Sequence, residues 1–359
     1  MTEYIDLAVY GFDDYFSKQI SDDKELYAVR VASQHHDIYQ VLGKYGEMRA
    51  QVSGRLIHLA TAVTDYPAVG DWVLVDREND NHGDAIIHRV LSRRSMFTRI
   101  AAGTVNQSQI VAANIDELFI CMSLNQDYNL RRLERYLSIA WNSGAKPIVI
   151  LTKSDLCNDL PDKLREVQSI ASSVDIVVTS CIHTNGIHDL APYLTPRHTV
   201  AFIGSSGVGK STLINRLLGS DVLHTMKTRK DDKGRHATTH RQLLLLPNGV
   251  IVIDTPGMRE IHLDTADIAQ VFTDIENLAA GCKYHDCNHG TEPGCKVREA
   301  LETGELSTQR LDSYLKLQKE LGYQGLSSRQ VEEKKIRHMF GSKGQMKQAM
   351  DYVKRKKDL

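Results

Sequence analysis

The stretch that most restricts the fold runs from residue 199 to 218, "TVAFIGSSGVGKSTLINRLL". An apolar run suited to a buried strand leads into Gly204-Ser-Ser-Gly-Val-Gly-Lys-Ser211, and a helix-forming run follows at once. Gly, four residues and then Gly-Lys-Ser, set between a strand and a helix, is the pattern of a phosphate-binding loop. Gly204, Gly207 and Gly209 let the backbone curl until its N–H groups point at phosphate oxygens, and the helix N-terminus adds partial positive charge. Lys210 is placed to reach the β- and γ-phosphates, and the Ser211 hydroxyl to ligate Mg2+. Such a loop belongs to a mostly parallel sheet flanked by helices, so the remaining chain must supply one.

Two further segments complete a nucleotide site. "VIVIDTPGM" at 250–258 ends an apolar strand in Asp254, which can hold a water on Mg2+, and Gly257, whose N–H can sense a γ-phosphate. "TKSD" at 152–155 follows the apolar run "PIVIL". A carboxylate at Asp155 can accept from guanine N1–H and the 2-amino group together, a paired contact that adenine cannot make. Lys153 would lie across base and ribose. Thr152 stands where Asn is commoner and loses one side-chain amide contact. "TSC" at 179–181, with Ser180 at its centre, ends the next strand and can offer a backbone N–H to the guanine oxygen. The order is then base reader, base support, phosphate loop, switch, Asp-x-x-Gly, a circular permutation of the usual sequence. It is permitted because the natural termini of such a domain lie close together. The segment after Gly257 then leads straight into the C-terminal region, so a γ-phosphate signal can move that region directly.

Many GTPases place a water-orienting Gln after Asp-x-x-Gly, and this chain has Met258. A slow intrinsic enzyme is expected unless another group serves. "KGRHATTH" at 233–240 lies where the first switch belongs, beside the basic residues Lys227, Arg229, Lys230, Lys233 and Arg235. Thr238 or Thr239 can ligate Mg2+ there. His236 either positions water or is an exposed loop histidine touching RNA or solvent.

The 359 residues exceed one usual core, which predicts two or three domains. From about residue 25 to 97, short runs of period two read as five or so antiparallel strands closing into an OB-type barrel. Its aromatics Tyr27, Tyr39, Tyr45 and Trp72 suit either single-stranded nucleic acid or a core, with core favoured. From about 112 the texture alternates apolar strands and helices. "LRRLERYLSIAWNSG" presents Leu133, Tyr136, Leu137 and Ile139 on one face and stops at Gly144, and "RQLLLLPNGVIVIDTPG" reads as a hairpin turning at Pro247, Asn248 and Gly249. After 265 the pattern is helical apart from a Cys/His cluster.

That cluster, "GCKYHDCNHGTEPGC" at 281–295, offers Cys282, Cys287, His289 and Cys295, three thiolates and an imidazole suited to tetrahedral zinc in a closed structural site. His285 competes as a ligand but is assigned to the surface. Cys121, Cys157 and Cys181 are scattered singly and read as inert core thiols of a reducing compartment. No apolar run approaches the roughly 20 residues a bilayer needs, and the acidic start lacks a secretory layout. A cytoplasmic protein with no membrane contact is expected. The net charge of −1 hides an asymmetry: from Lys334 onward nine Lys and Arg face two Asp, a local +7 against −8 elsewhere. A basic tail on an acidic body suits a polyanion such as nucleic acid, or is simply a solvated terminus.

Taken in order, the barrel, "NIDELFICMSLNQDYNLRRLERYL", "TKSD", "GSSGVGKST", "GRHATT", "DTPGM" and the Cys/His cluster resemble, over nearly the whole chain, the circularly permuted GTPases of bacterial small-ribosomal-subunit biogenesis. The resemblance implies a multidomain α/β protein: a barrel over 1–100, a circularly permuted P-loop GTPase domain over 101–265, and a helical zinc domain with a basic tail over 266–359. It implies a protein that binds GTP and GDP, hydrolyses GTP with stimulation by the small subunit, contacts rRNA through barrel and zinc domain, and acts late in maturation near the decoding region; a monomer is expected. Carried over from the family, nucleotide contacts fall on Thr152, Lys153 and Asp155, and on Gly204, Ser205, Ser206, Gly207, Val208, Gly209, Lys210, Ser211 and Thr212; Ser154 within "TKSD" and Ser180 within "TSC" are expected beside them. Zinc falls on Cys282, Cys287, His289 and Cys295, and His236 matches the family's switch histidine, a proposed catalytic group. Ala237 departs from the family's Thr, so Thr238 and Thr239 both stay open for the metal. A rival reading is an RNA-binding assembly scaffold that nucleotide merely stabilises, and a third is a nucleotide switch acting on another partner of the tail.

Overall fold

The computed structural model describes residues 4–20, 25–79, 81, 83–100, 108–183, 185–223, 241–255, 268–322 and 330. Strands β1 (Tyr27–His35), β2 (Ile38–Gly43) and β3 (Gly46–Val52) form an antiparallel meander. β4 (Trp72–Val75) pairs antiparallel with both β1 and β5 (Ala85–Val90), and β5 runs parallel to β3, so the five strands close. This is the expected OB-type barrel, and closure leaves no free edge among its strands. Alternation decides its interior: Val29, Val31, Val41, Met48, Val73, Val75 and Ile87 are buried together inside. Tyr39 and Trp72 are core as predicted, whereas Tyr27 and Tyr45 are exposed. Trp72 and Leu74 face outward and are covered by Phe16 and Leu91.

β6 (Met96–Ile100) and β7 (Ser108–Ala113) pair with each other and lead to the α/β sheet. Its members are β8 (Glu117–Ser123), β9 (Lys146–Thr152), β10 (Asp175–Val178), β11 (Thr199–Ile203), β12 (Gln242–Leu245) and β13 (Ile251–Asp254). Their order across the sheet is β10-β9-β8-β11-β13-β12, parallel except for β12, the hairpin strand, which on its other side pairs antiparallel with β1 at Ser33 and Gln242. Near-continuous apolar strands allow helices on both faces. Leu118, Ile120 and Met122 of β8 face one layer, containing helix Leu130–Asn142, while Phe119 and Cys121 face the other, containing helix Lys210–Leu218. Leu133, Tyr136, Leu137 and Ile139 bury the face read from sequence, and Gly144 follows the helix at φ 80°.

Helices Ile268–Val271, Thr273–Ala280, Lys296–Thr303 and Thr308–Leu321 pack on the same layer as Leu130–Asn142. Arg310 is the joint: it donates to Glu134 Oε1 at 2.7 Å and the Val271 carbonyl at 2.6 Å, and pairs with Asp274 at 3.0 Å. Arg135 adds a bond to Glu320 at 2.8 Å. No described helix is long and apolar enough to cross a membrane.

A second arginine ties the barrel to the α/β sheet. Arg30 of β1 is fully buried and donates to the carbonyls of Gly70 (3.2 Å), Asn114 (3.3 Å) and Tyr10, and to Thr199 Oγ1 (2.8 Å) at the start of β11. Burial pulls its pKa down to about 10, so it stays charged at neutral pH. Replacing it removes four donors from acceptors that have no water to turn to. Arg30→Met is expected to lower stability by about 3 kcal/mol or more in urea denaturation; a loss under about 1 kcal/mol would show that the acceptors find other partners.

Candidate functional site

The loop after β11 has the conformation its glycines were read to require. Gly204 holds φ 147°, and a Cβ there would lie 2.5 Å from the Cys121 carbonyl oxygen of β8, so only glycine lets the loop leave the sheet at this point. Gly209 holds φ 105° directly before helix Lys210–Leu218. Lys210 is buried and folds back on the loop, donating to the carbonyls of Gly204 at 2.9 Å and Ser205 at 3.0 Å. Val208 is buried, Ser206 and Ser211 are half-buried, and Thr212 is exposed.

The base-reading segment meets this loop directly. Thr152 at the end of β9 donates its hydroxyl to the Val208 carbonyl at 2.5 Å, and Lys153 Nζ donates to the Gly207 carbonyl at 2.8 Å. Thr152 thus spans to the phosphate loop with the one donor it has. Lys153 adopts φ 58°, the left-handed conformation that turns the chain sharply and leaves Asp155 on the exposed rim. Ser154 N–H donates to the Thr179 carbonyl at 3.2 Å, and Ser180 Oγ donates to Asp155 Oδ1 at 2.6 Å. The "TSC" reading is sharpened here. The N–H groups of Thr179 and Ser180 go to the Leu151 and Gly186 carbonyls, so what Ser180 offers the neighbouring loop is its hydroxyl, which holds Asp155.

Asp254 ends β13 with 1% exposure, and among the described residues neither carboxylate oxygen has a hydrogen-bond partner of normal geometry. Burial pushes its pKa up to about 6, against the pull of Lys210, while burial lowers Lys210 itself. An orphaned buried carboxylate beside a phosphate loop is a fit for a hydrated divalent cation, which would supply the missing partners. His236, Thr238, Thr239, Gly257 and Met258 lie outside the described residues.

The Cys/His cluster also assembles. The ligand atoms of Cys282, Cys287, His289 and Cys295 all lie within 4.8 Å of one another. Cys282 Sγ is 3.9 Å from Cys295 Sγ and 3.8 Å from His289 Nδ1, which is 3.5 Å from Cys295 Sγ. Zinc with thiolates about 2.3 Å away spaces tetrahedral ligands by about 3.8 Å, so the four residues fit that ion. His289 accepts φ 58° to bring its ring to the thiols. His285 is exposed and apart, as expected. Of the single cysteines, Cys121 is core, but Cys157 and Cys181 are half-buried. Their short runs end at loops rather than inside strands, which single-residue spacing does not reveal.

With this geometry in place, the comparisons with known proteins are decisive. The family model described as RsgA GTPase matches residues 90–264. The small ribosomal subunit biogenesis GTPase RsgA 2 of Lactiplantibacillus plantarum is 51% identical over 96% of this chain and 97% of its own length. This chain belongs to the RsgA GTPase family. The RsgA of Opitutus terrae is 44% identical over 88% of this chain and 90% of its own. The crystal structure of YjeQ from Thermotoga maritima superposes with a TM-score of 0.58 at 27% identity, covering 83% of this chain and 99% of that one. YloQ, described as a circularly permuted GTPase, shares the fold at a TM-score of 0.57 and 21% identity, covering 84% and 97%. As an RsgA-family member the chain is a GTP hydrolase of permuted order, in which segment 152–155 precedes the phosphate loop.

The sequence reading passed over Asp127 and Arg132, which touch Ser205 of the phosphate loop. Both lie within the stretch 114–137 that carries part of the family resemblance, but no role follows from their spacing alone.

Two outcomes are expected. Folded Asp254 keeps its proton to about pH 6, against an ordinary value of 3.8, so the nucleotide-free protein loses stability as pH rises between these values and stays penalised above them. Asp254→Asn should therefore raise stability at pH 7.5 by up to about 3 kcal/mol, by about half as much at pH 5, and give no gain near pH 3, measured by thermal unfolding; a loss at pH 7.5 would refute the assignment. Cys295→Ser, or chelation of the wild type, should remove one equivalent of zinc and unfold helices 296–303 and 308–321, read by metal analysis and circular dichroism.

Proposed function

We propose that this RsgA-family GTPase turns over GTP on the maturing small ribosomal subunit, with the nucleotide lying along the loops that follow β9, β10, β11 and β13. The observation that carries the reading is the pair of bonds from Thr152 and Lys153 to the Val208 and Gly207 carbonyls. They hold the base reader at a fixed separation from the phosphate cradle, which selection of a guanine nucleotide requires.

Asp155, steadied by Ser180, accepts from guanine N1–H and the 2-amino group. Gly204 to Thr212 enclose the phosphates. Lys210 leaves the Gly204 and Ser205 carbonyls for the β- and γ-phosphates, where its charge is worth more. Ser211 and either Thr238 or Thr239 hold Mg2+, Asp254 holds its water shell, and Gly257 reads the γ-phosphate. Mg2+, when bound, neutralises phosphate charge. His236 orients the attacking water in the place of the Gln that Met258 lacks. Zinc on Cys282, Cys287, His289 and Cys295 is structural, since four protein ligands leave no open position.

The printed names of the relatives supply the partner class: they are small ribosomal subunit biogenesis GTPases. We extend this to rRNA contact through the barrel and C-terminal module, to a cytoplasmic monomer, and to domains over 1–100, 101–265 and 266–359. Phosphate release should be slow with GTP alone and rise at least about tenfold with purified small subunits, while ATP is left untouched. His236→Ala should abolish the stimulated rate and preserve nucleotide binding. No stimulation by subunits would sink the reading.

A further inference from the structure

The phosphate loop is gripped from behind by two residues to which the sequence assigns no role, Asp127 and Arg132. Ser205, the second residue of the loop, is 4% exposed. Its hydroxyl donates to Asp127 Oδ2 at 2.6 Å and accepts from Arg132 Nη1 at 2.7 Å, and Arg132 Nη1 also donates to Asp127 Oδ2 at 2.8 Å. The three groups close a ring in which the serine oxygen gives one bond and takes another. Both partners are fixed by their own surroundings. Asn129 caps helix Leu130–Asn142 by accepting from the Arg132 N–H at 3.0 Å, which places Arg132 in the first turn. Asn125 accepts from Asp127 N–H at 3.0 Å and from Ser123 Oγ at 2.8 Å, which ties the intervening loop to the end of β8. Burial alone would raise the Asp127 pKa, but the bonds from Arg132 and Ser205 outweigh it and hold the carboxyl below its usual value, as expected of an anion with two donors.

Ser205 is therefore held on two sides in the free protein: its carbonyl by Lys210 and its hydroxyl by the ring. The Lys210 ammonium has three donors and spends two on the Gly204 and Ser205 carbonyls, so holding a nucleotide's phosphates draws donors from that side of the loop. When it turns toward the phosphates, the hold on the Ser205 carbonyl weakens, and among the described contacts the ring is what still fixes the Ser205 side chain, while Thr152 and Lys153 hold the loop only at Val208 and Gly207. We propose that Arg132, acting with Asp127 through Ser205, is a positioning residue that keeps the phosphate loop in its binding shape while Lys210 is engaged with nucleotide. Arg132 suits this role because its guanidinium presents several rigidly placed donors, so one group can meet serine and carboxylate together. The inference rests on the GTPase reading of the same site.

The test is a double-mutant cycle in the full-length protein. Affinity for a non-hydrolysable GTP analogue with Mg2+ is measured for wild type, Arg132→Gln, Ser205→Ala and the double variant, together with thermal midpoints. Each single change should weaken binding by about tenfold, and the double variant should be no weaker than the worse single one, because both break the same ring. Arg132→Lys should recover part of the loss. If Arg132→Gln binds as wild type does, or if the two losses multiply to about a hundredfold, Arg132 does not act through Ser205 and the proposal is overturned. A matching drop of affinity and thermal midpoint in Arg132→Gln that persists unchanged in the Ser205→Ala background would instead mark a merely structural helix contact, and also overturns it. Failure of the wild type itself to bind the analogue would defeat the GTPase reading, and this inference with it.

Discussion

Two hydrogen bonds between different motifs hold the nucleotide rim together: Thr152 Oγ1 to the Val208 carbonyl and Lys153 Nζ to the Gly207 carbonyl. They exist because β9 and β11 flank β8 in one parallel sheet, so the loops leaving their carboxyl ends arrive side by side. In an open α/β sheet that is where ligand sites form. The bond is indifferent to which loop comes first in the chain. Moving the chain's starting point leaves strand neighbours unchanged, and with them every contact along the rim. Circular permutation therefore preserves the site while changing what is attached at each end of the domain.

Features that are local in sequence were legible. The glycines at 204, 207 and 209, the alternation in β1 to β5, the apolar face of helix Leu130–Asn142 and the ligand spacing from Cys282 to Cys295 each depend on a few adjacent residues and on a fixed backbone period. What was not legible is long-range and made by side chains. Arg132 meets Ser205 across 73 positions, Arg30 meets Thr199 across 169, and Arg310 meets Glu134 across 176. An arginine at any of these places looks like an ordinary charged residue, and only the packed chain shows that it is buried among acceptors. Ser180 is a milder case: the motif put it beside the base, and the structure gives its hydroxyl to Asp155.

The permuted order suggests that the chain after Gly257 carries a γ-phosphate signal into the C-terminal module, but residues 256–267 lie outside the described part. Within the described part a different mechanical link stands out. Helix Leu130–Asn142 touches the phosphate loop through Arg132 in its first turn, and the C-terminal helices through Glu134 and Arg135 immediately after. The Glu134–Arg310 pair is nearly excluded from solvent, with side-chain exposures of 4% and 10%. Separating such a pair strands a buried charge, which costs several times more than losing a surface ion pair. A shift of the helix N-terminus, driven from Ser205, would thus carry the C-terminal helices with it rather than slide past them. The Cys/His cluster lies between helices Thr273–Ala280 and Lys296–Thr303, and a metal held there would tie the two helices together.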